Sequence, residues 1–510
     1  MTVHRGGAGA PSELEGVVVS GQLPAKKRLK SFRAYLDALA ELGDLQKVAR
    51  EVDTHLEIGA IIRRCHEVNA PAPLFTNIRD HAGYRVVGAP LSYSSDPEAR
   101  MARVALALGL DRTTHGLRII EALAEATHAL PVPPVTVRDA PCQEHVLIGD
   151  KADLTKFPVP LIHDGDGGRY FNTLGMVVLR SPDGTWSNWS ITRAMMIDGA
   201  RMTGSMGGSQ HIGMIRQMWR DRGEPMPFAL VQGAEPAALF VAGMALPEGV
   251  DEAGYLGGYF GEPVETVPCR TVDLEVPATA EIVVEGYVAS EEVWEEGPMG
   301  EYHGYLHGGA KDKPVYHVSA ITHRHRPILP VVAAGKPVDE DHTIMGPGFA
   351  AVVLEALRAD GIPARAAWFV PESAAHVLAV VVAPDWARRI PLSAADLGHR
   401  ILAICKATHG GWLATRVMLV DQDIDPTDLR DLMWAWATRC HPVNDRTVVG
   451  GQPIARSDVL YTRAERGNAR GPVELLNCLL PTTRNAPRST AFAENFSPDL
   501  QWHIRSHWAQ

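Results

Sequence analysis

Between residues 30 and 48, Phe32, Tyr35, Leu36, Leu39 and Leu42 recur in steps of three and four, and Gly43 follows as a stop signal. That spacing places one apolar stripe along a 3.6-residue helix. The same pattern predicts a second amphipathic helix over residues 56–68. Pro71 and Pro73 then break the period, and the β-favouring residues 74–78 and 84–87 predict strands. Helical spacing returns at 97–108 and 117–128, and the proline-rich stretch 131–134 reads as a linker.

From about residue 142 to 326 the texture changes to short Val, Ile, Thr and Tyr runs punctuated by Gly and Pro, with strands predicted at 173–179, 228–231, 240–242 and 281–288. One helix interrupts them over 211–222, where Ile212, Ile215, Met218 and Trp219 share a face. Beyond His342 helices are predicted at 349–359, 394–407 and 427–438, strands at 375–382 and 416–420, and weak helical character at 496–508. The expected division is a flexible tail over 1–25, an α/β region over 26–135, a β-rich domain over 136–345 and a second α/β domain over 346–510.

Composition narrows the function classes. A chain of 510 residues exceeds what one core usually organises. The net charge of -11 leaves only Lys26, Lys27, Arg28 and Lys30 as a basic cluster, which reads as a solvated helix face, so nucleic acid is not expected. The Gly-rich N-terminus has no apolar signal region, and the most apolar run, 374–383, is about half a membrane span and suits a buried strand. Six scattered cysteines without a CxxC pair fit a reducing cytoplasm. No GxGxxG follows a strand, and neither GxxxxGK[ST] nor HExxH occurs.

Three polar groups in the β-rich region carry the candidate chemistry. Arg193 ends the segment Asn188-Trp189-Ser190-Ile191-Thr192-Arg193 behind a hairpin turn at Pro182-Asp183-Gly184; an arginine among apolar neighbours either pairs with a carboxylate or faces a polar cleft. Gly297, Pro298 and Gly300 force a turn that lets Glu296 and Glu301 converge, as a carboxylate pair with split proton affinities requires, although a solvated acidic loop reads equally well. His211 and Glu252, with an amide oxygen, suit a Mn- or Mg-like ion better than zinc; a lone His is also an ordinary core or capping residue.

The ordered strings NWSITRAM, QHIGMI, MALPEGVDEAGYLGG, EVPATAEIVVEG, EGPMGEYHGY and ILPV followed by DEDHT resemble the UbiD family of prenylated-FMN decarboxylases. Flanking LEIGAIIRR, APAPLFTNIRD, FPVPLIHDGDGGRYF and LVDQDIDPTDLRDLMWAWATR extend the resemblance over roughly residues 30–510. It implies an α/β fold in which a central flavin-reductase-like split β-barrel is flanked by an N-terminal α/β region and a C-terminal α/β dimerisation domain. It implies reversible, non-oxidative loss of carboxylate from an unsaturated or aromatic acid, with prenylated FMN as electron sink, a Mn2+ or Mg2+ ion and K+, and a flavin prenyltransferase as cofactor supplier. Carried over residue by residue, Asn188, His211 and Glu252 match the metal ligands. Arg193, Glu296 and Glu301 match the catalytic network, with Glu301 as proton donor. Ser190, Ile191, Gln210, Met244 and His409 fall where relatives line the flavin.

Two departures bear on substrate. Fungal cinnamate-type members carry a lysine in a Ser-Lys-Ala-Gly segment where this chain reads Thr408-His409-Gly410-Gly411, and a Met where Tyr302 follows Glu301. The EYHGY form is similar to the bacterial branch acting on pyrrole and indole carboxylates. Tyr302 and Asp341 are therefore expected in the substrate pocket, Asp341 accepting a ring N–H, and a heteroaromatic or aromatic acid is expected ahead of a cinnamate- or ferulate-type acrylic acid; packing by Tyr302 and capping of a following turn by Asp341 read equally well. A metal-dependent hydrolase and an inactive flavin-binding protein are the readings from other classes.

Overall fold

The computed structural model describes residues 26–508 apart from 209, 307, 482–486 and 488; the expected tail, 1–25, lies outside the described residues. The first apolar stripe forms the helix Phe32–Glu41, whose N-cap Ser31 accepts from the Ala34 N–H and whose buried face is Phe32, Tyr35, Leu36 and Leu39. It ends earlier than the spacing suggests because Gly43 turns the chain at φ +72°. Leu45–Val48 then continue as a strand parallel to Ala72–Phe75. With Arg85–Gly88 and the sequence-distant Ile328–Val331 these make a four-stranded sheet. The predicted helix over 97–108 is instead a 3-10 turn, Pro97–Ala99, and a short helix, Ala102–Ala107. The Ser94 N–H takes the Arg100 carbonyl that a continuous helix would use.

The middle of the chain builds a nine-stranded sheet that curls into half a barrel. Its spine is the long antiparallel pair Ile282–Glu296 and Lys311–His323, paired from Ile282↔His323 to Glu296↔Lys311 with irregularities near Gly286 and Val293. Successive residues of the first strand serve opposite faces: Ile282 and Val284 join one hydrophobic core, and Val283 joins the other. A sheet buried on both sides explains why its strands read as near-continuous apolar runs. The expected strand at 240–242 is overturned: Phe240 and Val241 lie in the helix Pro236–Gly243. Pro236 opens that helix, and burial of all its sides from Pro236 to Ala242 overrides the β preference of the two residues.

The C-terminal part forms a five-stranded sheet in the order Ala364–Phe369, Val377–Val382, Arg416–Asp421, Arg470–Cys478, Arg446–Pro453. The helices Glu340–Ala359, Ala394–Ala407 and Leu429–Arg439 accompany it. The first of these starts well before residue 349, because Asp339 and His342 form a capping box ahead of it and Pro347 is accommodated inside. All six cysteines are free thiols, and no described helix is long and apolar enough to cross a membrane.

Candidate active site

The strand Gly175–Arg180 turns back as Ser187–Ile191, which delivers Arg193 just past its end. Its guanidinium donates from Nε to Glu296 Oε1 at 2.8 Å, from Nη2 to Glu296 Oε2 at 3.3 Å and from Nη1 to Glu301 Oε1 at 2.7 Å. Glu296 closes the strand Ile282–Glu296 and also accepts from the Tyr170 hydroxyl at 2.7 Å. The turn that brings Glu301 back has φ +89° at Gly297, and a Cβ on Gly300 would lie 2.5 Å from His163 Nδ1. The Gly300 N–H donates to Asp166 Oδ1 at 2.9 Å, and the Gly167 N–H to the Pro298 carbonyl at 2.7 Å. Burial works against the Arg193 charge, but Glu301 and Glu296 outweigh it and hold the guanidinium firmly protonated. The two acids differ in access: the Glu296 side chain is 2% exposed and that of Glu301 20%, so Glu301 is the one open to a ligand.

Asn188, His211 and Glu252 also converge, from a strand and the first residues of the helices His211–Asp221 and Glu252–Phe260. Asn188 Nδ2 donates to Glu252 Oε1 at 2.7 Å and lies 3.4 Å from His211 Nδ1, while the Trp189 N–H donates to Glu252 Oε2 at 2.8 Å. Burial raises the Glu252 carboxyl to about 8 and lowers the His211 imidazole to about 4, the latter helped by His409 at a ring distance of 5.2 Å. No Lys or Arg pairs with Glu252 among the described residues. Among the same residues no group of three or more His, Cys, Asp or Glu is arranged to hold a metal, so this set, two such side chains and one amide, closes only with further oxygen ligands.

Both groups border one cavity of about 1040 Å³, whose lining includes Arg193, Glu296, Glu301, His211 and Glu252, with Asn188 buried behind the wall. The expected flavin-lining residues Ser190, Ile191, Gln210, Met244 and His409 all face it, as does Asp341. Tyr302 does not line it, which corrects the expectation from sequence: its hydroxyl points to the buried Asp458 and donates to Oδ1 at 2.8 Å. The sequence reading also missed three cavity lysines, Lys311, Lys313 and Lys406. Lys406 follows Leu402 by one helical turn and was hidden in an apolar face; burial lowers it to about 8, and its amine donates to the Ala414 and Pro453 carbonyls. Lys313 stands two residues beyond Lys311, the register partner of Glu296, so the pleat puts it on the Glu296 face of the sheet.

Asp341 lies in the first turn of the helix Glu340–Ala359, and its carboxyl has no hydrogen-bond partner among the described residues. Burial and the neighbouring Asp339 anion raise it to about 8, whereas Asp339, despite its own burial, is held low by His342, His66 and Arg63. A neutral carboxyl both donates and accepts, so Asp341 offers the cavity two complementary positions. Its raised proton affinity makes the folded state hold a proton that the unfolded chain has released above the ordinary carboxylate range, so stability falls as pH rises toward 8. Asp341→Asn removes that penalty, and its gain in Tm is expected to be larger at about pH 8 than at about pH 5. Equal gains at both pH values would contradict the raised value.

Three family models match the chain in order. The N-terminal domain of 3-octaprenyl-4-hydroxybenzoate carboxy-lyase matches residues 36–123, its Rift-related domain, UbiD, residues 134–337, and its C-terminal domain residues 342–470. Pyrrole-2-carboxylic acid decarboxylase of Pseudomonas aeruginosa is 41% identical over 485 residues, 94% of this chain and 97% of that protein. Ferulic acid decarboxylase 1 of Saccharomyces cerevisiae is 37% identical over 422 residues, 81% of this chain and 84% of that protein. Among solved structures, the UbiD-class enzyme HmfF from Pelotomaculum thermopropionicum in complex with FMN superposes with a TM-score of 0.79 at 26% identity, covering 94% of this chain and 100% of that one.

Proposed function

The chain belongs to the UbiD family of carboxy-lyases, and on that premise we propose that it decarboxylates a compact heteroaromatic or aromatic acid, with prenylated FMN as cofactor. The observation that carries the reading is Arg193 bridging Glu296 and Glu301 on the wall of the cavity that Glu252 and His211 also border. Three of the five guanidinium N–H groups are engaged by the two glutamates, which leaves two for a substrate carboxylate. Glu301, the more exposed acid, takes up a proton from solvent and delivers it to the ring carbon once CO2 has left. Glu296, fixed by Tyr170 and Arg193, keeps the guanidinium oriented through both steps.

The residues present fit the implied groups. A carboxylate as buried as Glu252, without a cationic partner among the described residues, beside a neutral imidazole and an amide, suits a manganese- or magnesium-like ion. The remaining ligands of that ion would come from a flavin phosphate, with potassium nearby. Prenylated FMN, when bound, supplies the electron sink that an sp2 carbon needs on losing CO2. Ser190, Ile191, Gln210, Met244 and His409 would line it.

The N-terminal α/β region ends near residue 135, and the cofactor domain ends near 345. Residues 346–510 pair two copies of the chain; Met433, Trp434 and Trp436, with Trp502 and Trp508, supply exposed apolar area for that contact. The free thiols support a reducing cytoplasm as the place of action.

The test is expression with a flavin prenyltransferase, followed by a screen of pyrrole, indole, benzoic and acrylic acids for CO2 release and for deuterium entry into the product. A higher kcat/KM for cinnamate than for every ring acid would overturn the substrate class. Asp341 is expected to pair with a ring N–H, so Asp341→Ala lowers the preference for a heteroaromatic acid over its N-methyl analogue by roughly tenfold. An unchanged preference would remove that contact.

A further inference from the structure

The residue after Glu301 is tied to two distant parts of the chain. The Tyr302 carbonyl accepts from His342 Nε2 at 2.9 Å, which fixes the backbone to the helix Glu340–Ala359. The Tyr302 ring turns away from the cavity into a nest of imidazoles, with His303, His342 and His376 at ring distances of 5.4, 6.3 and 5.9 Å. Its hydroxyl ends on Asp458 Oδ1 at 2.8 Å, and His376 Nε2 lies 3.3 Å from the same oxygen. Asp458 is completely buried, in the connection between the strand Arg446–Pro453 and the helix Arg463–Asn468. A second tie runs in parallel: His303 Nε2 donates to the Ser457 carbonyl at 3.0 Å. Ala455, Arg456 and Ser457 of that connection line the cavity.

We infer that Asp458 and Tyr302 form a clasp that positions Glu301: Asp458, reached through Tyr302, sets where the Glu301 carboxyl stands relative to the reacting carbon. Without it, the backbone beside Glu301 would still be held by Asp166 at Gly300, by His342 at the Tyr302 carbonyl and by His303 on Ser457, but the Tyr302 side chain would be released and the Glu301 carboxyl would rest on its ion pair to Arg193. An ion pair leaves a long side chain free to pivot, and a displacement of about 1 Å in a reacting group costs up to about a hundredfold in rate. The clasp removes that freedom from the adjoining residue. Neither Tyr302 nor Asp458 lines the cavity, so both are positioning residues. The inference rests on the proposed role of Glu301 as proton donor.

The experiment compares Tyr302→Phe, Asp458→Ala and Asp458→Asn with the parent by two readouts. In flavin-free protein, backbone amide exchange of the peptide spanning 298–306 is expected to rise at least about fivefold in Tyr302→Phe and Asp458→Ala, with the rest of the chain unchanged. Asp458→Asn retains an acceptor oxygen and stays near the parent. In flavin-loaded protein, Tyr302→Phe is expected to lower kcat and the rate of deuterium entry into the product about tenfold, with KM for the acid unchanged. Unchanged exchange of 298–306 together with unchanged kcat would overturn the clasp. So would a rise in KM alone, or a loosening spread over the whole chain. If Asp458→Ala does not fold, Tyr302→Phe, which removes one hydroxyl, decides. A parent protein that exchanges no product proton with any acid would overturn the proton-donor reading instead, and the flavin-free measurement would still decide whether the clasp holds the loop.

Discussion

Glu301→Gln is expected to leave a folded, flavin-loaded protein with kcat lower by roughly a thousandfold or more. The amide has the size of the acid, and its oxygen still accepts from Arg193 Nη1, so the ion-paired geometry at 2.7 Å has a neutral equivalent. It has no acidic proton to give to carbon, and no other acid bonded to Arg193 takes its place: Glu296 is 2% exposed and already holds Tyr170. The measurement is kcat together with deuterium entry into product, on a variant whose Tm and flavin absorbance match the parent. Near-normal turnover in such a variant would remove Glu301 from the reaction.

The second large effect is expected at the Asn188, His211 and Glu252 group. His211→Ala, or Glu252→Gln, should lower metal retention by about a hundredfold and take the flavin with it, leaving turnover at background. The argument is the ligand count. If Asn188, His211 and Glu252 hold a hard cation as proposed, two ionisable side chains and one amide would leave its coordination incomplete, and a flavin phosphate would be needed to fill it. Glu252→Gln removes the charge and the acceptor for Asn188 Nδ2, while its amide oxygen can still accept from the Trp189 N–H that now donates to Glu252 at 2.8 Å. Metal analysis and flavin absorbance on the same sample check it. Full flavin occupancy after metal loss would separate the two.

Much of this was readable from residue order. Phe32 to Leu39 gave the first helix because its buried face is a regular stripe, and Ala394–Ala407 matches its predicted limits because Ser393 caps one end and Thr408 leaves helical geometry at the other. Phe240 and Val241 misled because side-chain preference is a local signal, whereas the burial of their helix on every side is decided by distant packing. The strand Arg446–Pro453 was missed because it alternates weakly between exposed and half-buried positions and contains Gly450 and Gly451. At the site, Gly297, Pro298 and Gly300 allow Glu296 and Glu301 to converge, but residue order alone fits a solvated acidic loop equally well. For Arg193, residue order leaves a carboxylate partner and a polar cleft open, without naming the carboxylates. Tyr302 was misplaced for a physical reason: a side chain next to Glu301 in sequence can point the opposite way, and its partner Asp458 lies 156 positions further along.

The reach of the long hairpin has an engineering consequence. Both acids sit where the pair Ile282–Glu296 and Lys311–His323 projects to its tip, while the strands behind them are locked by two hydrophobic cores. The tip is thus the part a graft would address: exchanging the residues between Glu296 and Lys311 for those of a relative would change the surroundings of Glu301 while the strands behind it keep their packing. The graft carries a hidden dependence, because a donor loop without a tyrosine after its acid takes the hydroxyl donor from the buried Asp458 and leaves His376 beside it. A graft that repacks position 458 together with the loop would be the one to succeed.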